Sequence, residues 1–114
     1  MEKILYIEDD SDWLEHIDRK LTEIGYNMDG ASNVEKGLEM INSNNYGAII
    51  LDGLNGRCFE VSEAIKDNIN TKNIYIFSSS HKILEQAKSK GLAGIIKPDV
   101  TELLGTIHDT FQLQ

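Results

Sequence analysis

The sequence predicts an α/β domain built on a doubly wound, five-stranded parallel sheet, and three observations predict it. Short apolar runs alternate with amphipathic segments along the whole chain. One of the runs, Ala48-Ile49-Ile50-Leu51, is continuously apolar, as in a strand buried on both faces. Cap residues and glycines separate the segments at the spacing of βα units. Five such units in 114 residues require a parallel sheet with helices on both faces.

Lys3 to Ile7 is apolar with β-branched members and ends in Glu8-Asp9-Asp10, the pattern of a first strand. Ser11 or Asp12 is placed to cap a helix whose apolar stripe is Leu14, Ile17, Leu21 and Ile24, ended by Gly25. Tyr26 to Ala31 reads as a weaker second strand. Ser32 or Asn33 caps a second helix carrying Val34, Leu38 and Ile41. The run Ala48 to Leu51 is the third strand and delivers Asp52. After a Gly-rich loop, Val61, Ala64 and Ile65 mark a third helix. Ile74 to Phe77 is a fourth strand ending in Ser78-Ser79-Ser80. Ile83, Leu84 and Ala87 mark a fourth helix running to Gly91. Ile95-Ile96 is a short fifth strand stopped by Lys97-Pro98. Val100, Leu103, Leu104, Ile107 and Phe111 line the last helix, in which Gly105 costs about 1 kcal/mol relative to Ala.

The length fits one domain, residues 1–114, large enough to remove roughly two-thirds of its unfolded surface from water. Hydrophobic residues at 40% and charged residues at 26% are ordinary for a globular protein and argue against disorder. No apolar run approaches the roughly 20 residues of a membrane span. The N-terminus turns acidic after six residues without a cleavage site, so no signal peptide and a cytoplasmic location are expected. Cys58, the single cysteine, agrees with a reducing compartment and reads as a small buried hydrophobe. A net charge of −8 without a basic stripe disfavours direct contact with nucleic acid. His16, His81 and His108 have no metal-ligand spacing.

Ligands of open α/β sheets sit outside the carboxyl ends of the strands. The residues placed there are Glu8, Asp9 and Asp10 after strand one, Asp52 after strand three, Ser78 after strand four and Lys97 after strand five. Crowded carboxylates repel one another, and a divalent cation resolves the repulsion; Mg²⁺ suits an all-oxygen set with open positions. With a lysine and a hydroxyl nearby, such a site can clamp a transferring phosphoryl group. Asp52 ends the most buried strand and is the candidate nucleophile, because carboxylates serve as phosphoryl acceptors. Taken singly, the acids could be helix caps, Ser78 a cap and Lys97 a solvated lysine; their agreement carries the reading.

The succession ILYIEDD, AIILD, IYIFSS and GIIKP resembles the receiver domain of bacterial response regulators over the whole chain. The resemblance implies a flavodoxin-like (βα)5 fold with strand order 2-1-3-4-5. It further implies a phosphoacceptor of a two-component phosphorelay, acting without an attached output domain. Asp52 would accept phosphate from a sensor histidine kinase or a phosphotransfer protein, with Mg²⁺ as cofactor. Asp9 would ligate the metal directly, Glu8 mostly through water, and the Leu54 backbone carbonyl would be a further ligand. Ser78 and Lys97 would bind the phosphoryl oxygens, small Ser79 would leave room for them, and the Lys97–Pro98 bond would be cis. Signalling would pass to a downstream protein target, and a homodimer would form through the last two helices. Such a chain assists its own phosphorylation and dephosphorylation and is otherwise no enzyme. Trp13, on the first helix near the acids, is expected to pack and to report metal binding by its fluorescence.

Two departures stand out. The loop Gly53-Leu54-Asn55-Gly56-Arg57-Cys58-Phe59 has no proline and is two residues shorter than usual. The fifth strand is one residue short, and Gly94 or Ile95 stands where an aromatic ring usually couples phosphorylation to output. These features favour an alternative, a pseudo-receiver that binds partners without being phosphorylated. An aspartate-nucleophile phosphatase is disfavoured because Leu54 stands where its second Asp belongs. A flavin-binding reading is weaker still, because the acidic first loop offers a phosphate no donors.

Overall fold

The computed structural model describes residues 3–67 and 73–112. Five parallel strands, β1 (Lys3–Ile7), β2 (Asn27–Ala31), β3 (Ala48–Asp52), β4 (Ile74–Ser78) and β5 (Ala93–Ile96), form one sheet in the order β2-β1-β3-β4-β5. The helices α1 (Ser11–Glu23), α2 (Val34–Ser43), α3 (Cys58–Ile65), α4 (His81–Ser89) and α5 (Val100–Gln112) connect and flank them. This is the expected doubly wound, flavodoxin-like architecture. No helix among the described residues is long and apolar enough to cross a membrane.

Strand alternation sorts the core into two layers. Leu5, Ile7, Ile49, Leu51, Ile74 and Ile76 face α2, α3 and α4, where they meet Val34, Val61, Ile65 and Ala87. Ile4, Tyr6, Ile50, Tyr75, Phe77 and Ile95 face α1 and α5, meeting Ile17, Leu21, Leu103 and Ile107. Burial on both faces explains why β1, β3 and β4 read as continuous apolar runs. The register pairs Ile7 with Leu51, Asp52 with Phe77 and Ser78 with Ile96, so the polar ends of these strands reach one edge together.

Several local details differ from the sequence reading. The cap of α1 is Asp10, whose side chain accepts from the Asp12 amide, so Ser11 already lies inside the helix. Of the two candidates before α2, Asn33 is the cap, accepting from the Lys36 amide. Ile24 leaves the apolar stripe: it is the C-cap of α1, with a non-helical backbone, and is 45% exposed. The fifth strand begins at Ala93, two residues earlier than its apolar pair indicated, because Gly94 lies flat beneath Leu84 of α4.

Candidate functional site

The site is built by β1, β3, β4 and β5 ending at one edge. A cleft of about 400 Å³ opens there, lined by Glu8, Asp9, Asp52 and Lys97 with Trp13, Ser79 and Pro98 at its walls. Oxygens of Glu8, Asp9 and Asp52 all lie within 4.8 Å of one another. A larger depression of about 660 Å³ beside Phe59 and Leu92 has no comparable cluster among the described residues, and its Lys66 is paired with Glu63 at 2.6 Å.

Lys97 ties the acids together. Its Nζ donates to Glu8 Oε1 and to Asp52 Oδ1, each at 2.6 Å. The remaining oxygen of Asp52, Oδ2, accepts the Leu54 amide at 3.0 Å. Aromatic rings wall in the lysine, with the Trp13 centroid 5.1 Å and the Phe77 centroid 5.7 Å from Nζ. Trp13 itself stands edge-on to Phe77, so its packing role and its place in the cleft are one arrangement. The Lys97–Pro98 bond is cis.

Glu8 is 1% exposed. Burial pushes its carboxyl up from the ordinary range, and hydrogen bonds from Lys97 and Tyr6 only partly counter that. Burial also works against the charge of Lys97, yet its bonds to Asp52 and Glu8 outweigh burial and hold the ammonium above the ordinary lysine value. Tyr6 was missed by the sequence reading. Its hydroxyl donates to Glu8 Oε1 at 2.7 Å inside the core, and burial with this bond holds the phenol far above its ordinary range. The signal was present: residues two apart on a strand share a face, so a tyrosine at position 6 points where Glu8 points.

The expected residues fall into two groups. Glu8, Asp9, Asp52 and Lys97 converge in the cleft. Ser78 is 5% exposed and packs against the loop after Asp52, its Oγ accepting the Ser80 amide at 3.1 Å, while Ser79 lines the cleft. A Cβ on Gly53 would come within 3.0 Å of that Oγ, so this glycine permits the close approach. Leu54 reaches Asp52 through its amide; its carbonyl accepts the Arg57 amide at 3.0 Å in a short 3₁₀ turn, Leu54–Gly56. Leu54 and Asn55 hold positive φ of 51° and 55° there, a conformation unusual for leucine. Gly94 leaves no ring at its position, and Leu84 fills the space, its Cδ2 only 3.0 Å from where a Cβ would lie.

The donor set fits a hard divalent cation, since Mg²⁺ is commonly held by one or two carboxylates and keeps several waters. Glu8, Asp9 and Asp52 would be the residues to hold it, Glu8 being also engaged by Tyr6, Lys97 and, at 3.3 Å, the Asp10 amide.

No family model and no curated protein matches the sequence. Solved structures do. The receiver domain of the Francisella response regulator 1452 is 26% identical, with 98% of each chain covered and a TM-score of 0.84. Response regulator protein TrrA from Thermotoga maritima, solved in complex with Mg(2+)-BeF, is 25% identical over 96% of this chain and 99% of that one, at a TM-score of 0.78. A chain from the complex of histidine kinase ThkA with TrrA is 27% identical over 96% and 98%, at 0.80. With the strand order and the acid-lysine cleft already in place, these neighbours establish that the chain has the receiver fold of response regulators.

Proposed function

We propose that the protein is a phosphoacceptor receiver of a two-component relay, taking a phosphoryl group onto Asp52 with Mg²⁺ as cofactor. The observation that carries this reading is the convergence of Asp52 and Asp9 with Lys97 in one open cleft. The similar TrrA structures, one with Mg(2+)-BeF and one with a histidine kinase, support both the cation and the kinase as partners.

In this reading a carboxylate oxygen of Asp52 attacks the phosphorus of a phosphohistidine on a sensor kinase or phosphotransfer protein. The new P–O bond forms as the P–N bond breaks, and the imidazole departs with the bonding pair. Lys97 already sits at Asp52 Oδ1 and neutralises charge on the arriving group without reorganising. The Leu54 amide holds the other oxygen and fixes the carboxylate's rotamer. Small Ser79 at the wall leaves the entry open, and Ser78 would supply a hydroxyl to the phosphoryl oxygens. The bound cation would offset the charge of the acids and the phosphoryl oxygens. The added phosphate, about −1.5 to −2 in charge, would then reorganise the adjoining loops. A downstream protein or a second copy would dock along α4 and α5, and the setting would be the cytoplasm.

A second reading, a pseudo-receiver that is never phosphorylated, is favoured by one arrangement: Leu84 packs over Gly94, so no switch ring is present to relay the event. Borohydride reduction of protein treated with Mg²⁺ and acetyl phosphate separates the two. Homoserine at position 52 after peptide mapping supports the acceptor; unmodified Asp52 under every donor supports the pseudo-receiver.

A further inference from the structure

Lysine at the mouth of an acidic cleft has a flexible four-carbon stem and is easily drawn away into water. Here the ammonium is held by both Asp52 Oδ1 and Glu8 Oε1, and the lysine side chain is only 11% exposed. The second anchor works only if Glu8 keeps one rotamer. Glu8 lies beyond the end of β1, and Lys97 reaches it from a distant strand. What fixes Glu8 from below is Tyr6: fully buried, on the same face of the sheet, with its hydroxyl 2.7 Å from the same oxygen that Lys97 uses. A buried carboxylate needs donors, and Oε1 receives two, the Tyr6 hydroxyl and the Lys97 ammonium. Among the described residues, Oε2 receives only the Asp10 amide, at 3.3 Å.

We infer that Tyr6 is a positioning residue that acts through Glu8 to hold the Lys97 ammonium against Asp52. A phenylalanine at position 6 keeps the ring in the core but leaves Glu8 free to rotate toward Oε2 contacts and the cleft. Lys97 is then tethered by Asp52 alone. The consequence for phosphoryl acceptance rests on the reading of Asp52 proposed above; the geometry itself does not.

The test is NMR of the lysine side-chain ammonium groups in the ¹⁵N-labelled full chain, without phosphodonor or cation, so a protein that never accepts phosphate still passes or fails it. One ammonium signal, assigned by its loss in Lys97→Arg, is expected to be protected from exchange with water in the wild type. In Tyr6→Phe its exchange should accelerate about tenfold, the order expected for one lost hydrogen bond. In a Glu8→Ala background, which removes the shared acceptor, the same substitution should add nothing further, because the two residues act in series. An unchanged Lys97 signal in a folded Tyr6→Phe protein would overturn the inference, as would equal acceleration in both backgrounds. If Tyr6→Phe fails to fold, the wild type alone decides: a cross-peak between the Tyr6 hydroxyl proton and the Lys97 ammonium is required, and its absence refutes the arrangement.

Discussion

The ammonium of Lys97 lies 2.6 Å from Oδ1 of Asp52, although 45 positions separate them in the chain. β4 and β5 extend the sheet from β3, and Lys97 directly follows Ile96, the partner of Ser78 in the register. The contact is therefore a product of the topology.

Removing the lysine tests what that contact contributes. Lys97→Met leaves buried Glu8 and half-buried Asp52 facing each other, and the loss of stability should be about 3 kcal/mol in urea unfolding. Burial is outweighed by the bonds to Asp52 and Glu8, so the folded protein holds the Lys97 proton more tightly than the unfolded chain. The contribution is therefore complete below the ordinary lysine value of about 10.4 and disappears as pH rises through the higher folded value. The gap between wild type and Lys97→Met should stay level from about pH 7 to about pH 9.5 and narrow above about pH 10.5. A gap that widens in alkali would contradict the assignment.

Two helical glycines should respond oppositely to alanine. A Cβ at Gly37 in α2 would lie 2.2 Å from Cδ1 of Ile7, which is fully buried and has nowhere to move. Overpacking of about 1–3 kcal/mol should exceed the roughly 1 kcal/mol gained in helix propensity, so Gly37→Ala destabilises. Ile7→Val, which removes that methyl, should recover part of the loss. At exposed Gly105 in α5 a Cβ meets nothing within 4 Å, and Gly105→Ala should stabilise by about 1 kcal/mol. Thermal melts of the two variants moving in the same direction would count against the packing described.

Cys58 is fully buried at the start of α3, and burial pushes its thiol up to about 11. A thiol so placed is neither exposed nor ionised near neutrality. Alkylation at pH 8 should therefore be negligible in the native protein and complete in denaturant; rapid native labelling would place Cys58 elsewhere.

Much of the fold was legible because buried parallel strands declare themselves as apolar runs. β1, β3 and β4 stand where those runs stand, and the acids that follow β1 and end β3 marked the cleft, whereas Ser78 at the end of β4 packs beside it. Boundaries were less legible where neighbouring residues compete for one role. Asp10, Ser11 and Asp12 can all cap a helix, and only the backbone turn at Asp10 decides among them. Ile24 fits the helical period but falls one residue past the last turn. At β5 a glycine hides two strand residues, since its value is the space it leaves for Leu84. Within the site, the carboxylates and Lys97 were read from their places at strand ends. Two relationships were missed: the Tyr6 hydroxyl looks like core until the strand face is worked out, and the Ser78 hydroxyl meets a backbone amide from its own turn.

The central claim, that Asp52 accepts a phosphoryl group in this cleft, is tested most directly by intact mass after incubation with Mg²⁺ and acetyl phosphate. Wild type should gain the mass of a single phosphate, removed by mild alkali and kept in acid, while Asp52→Asn treated identically gains none. An adduct of equal size on Asp52→Asn, or no adduct on the wild type with any donor, would contradict it.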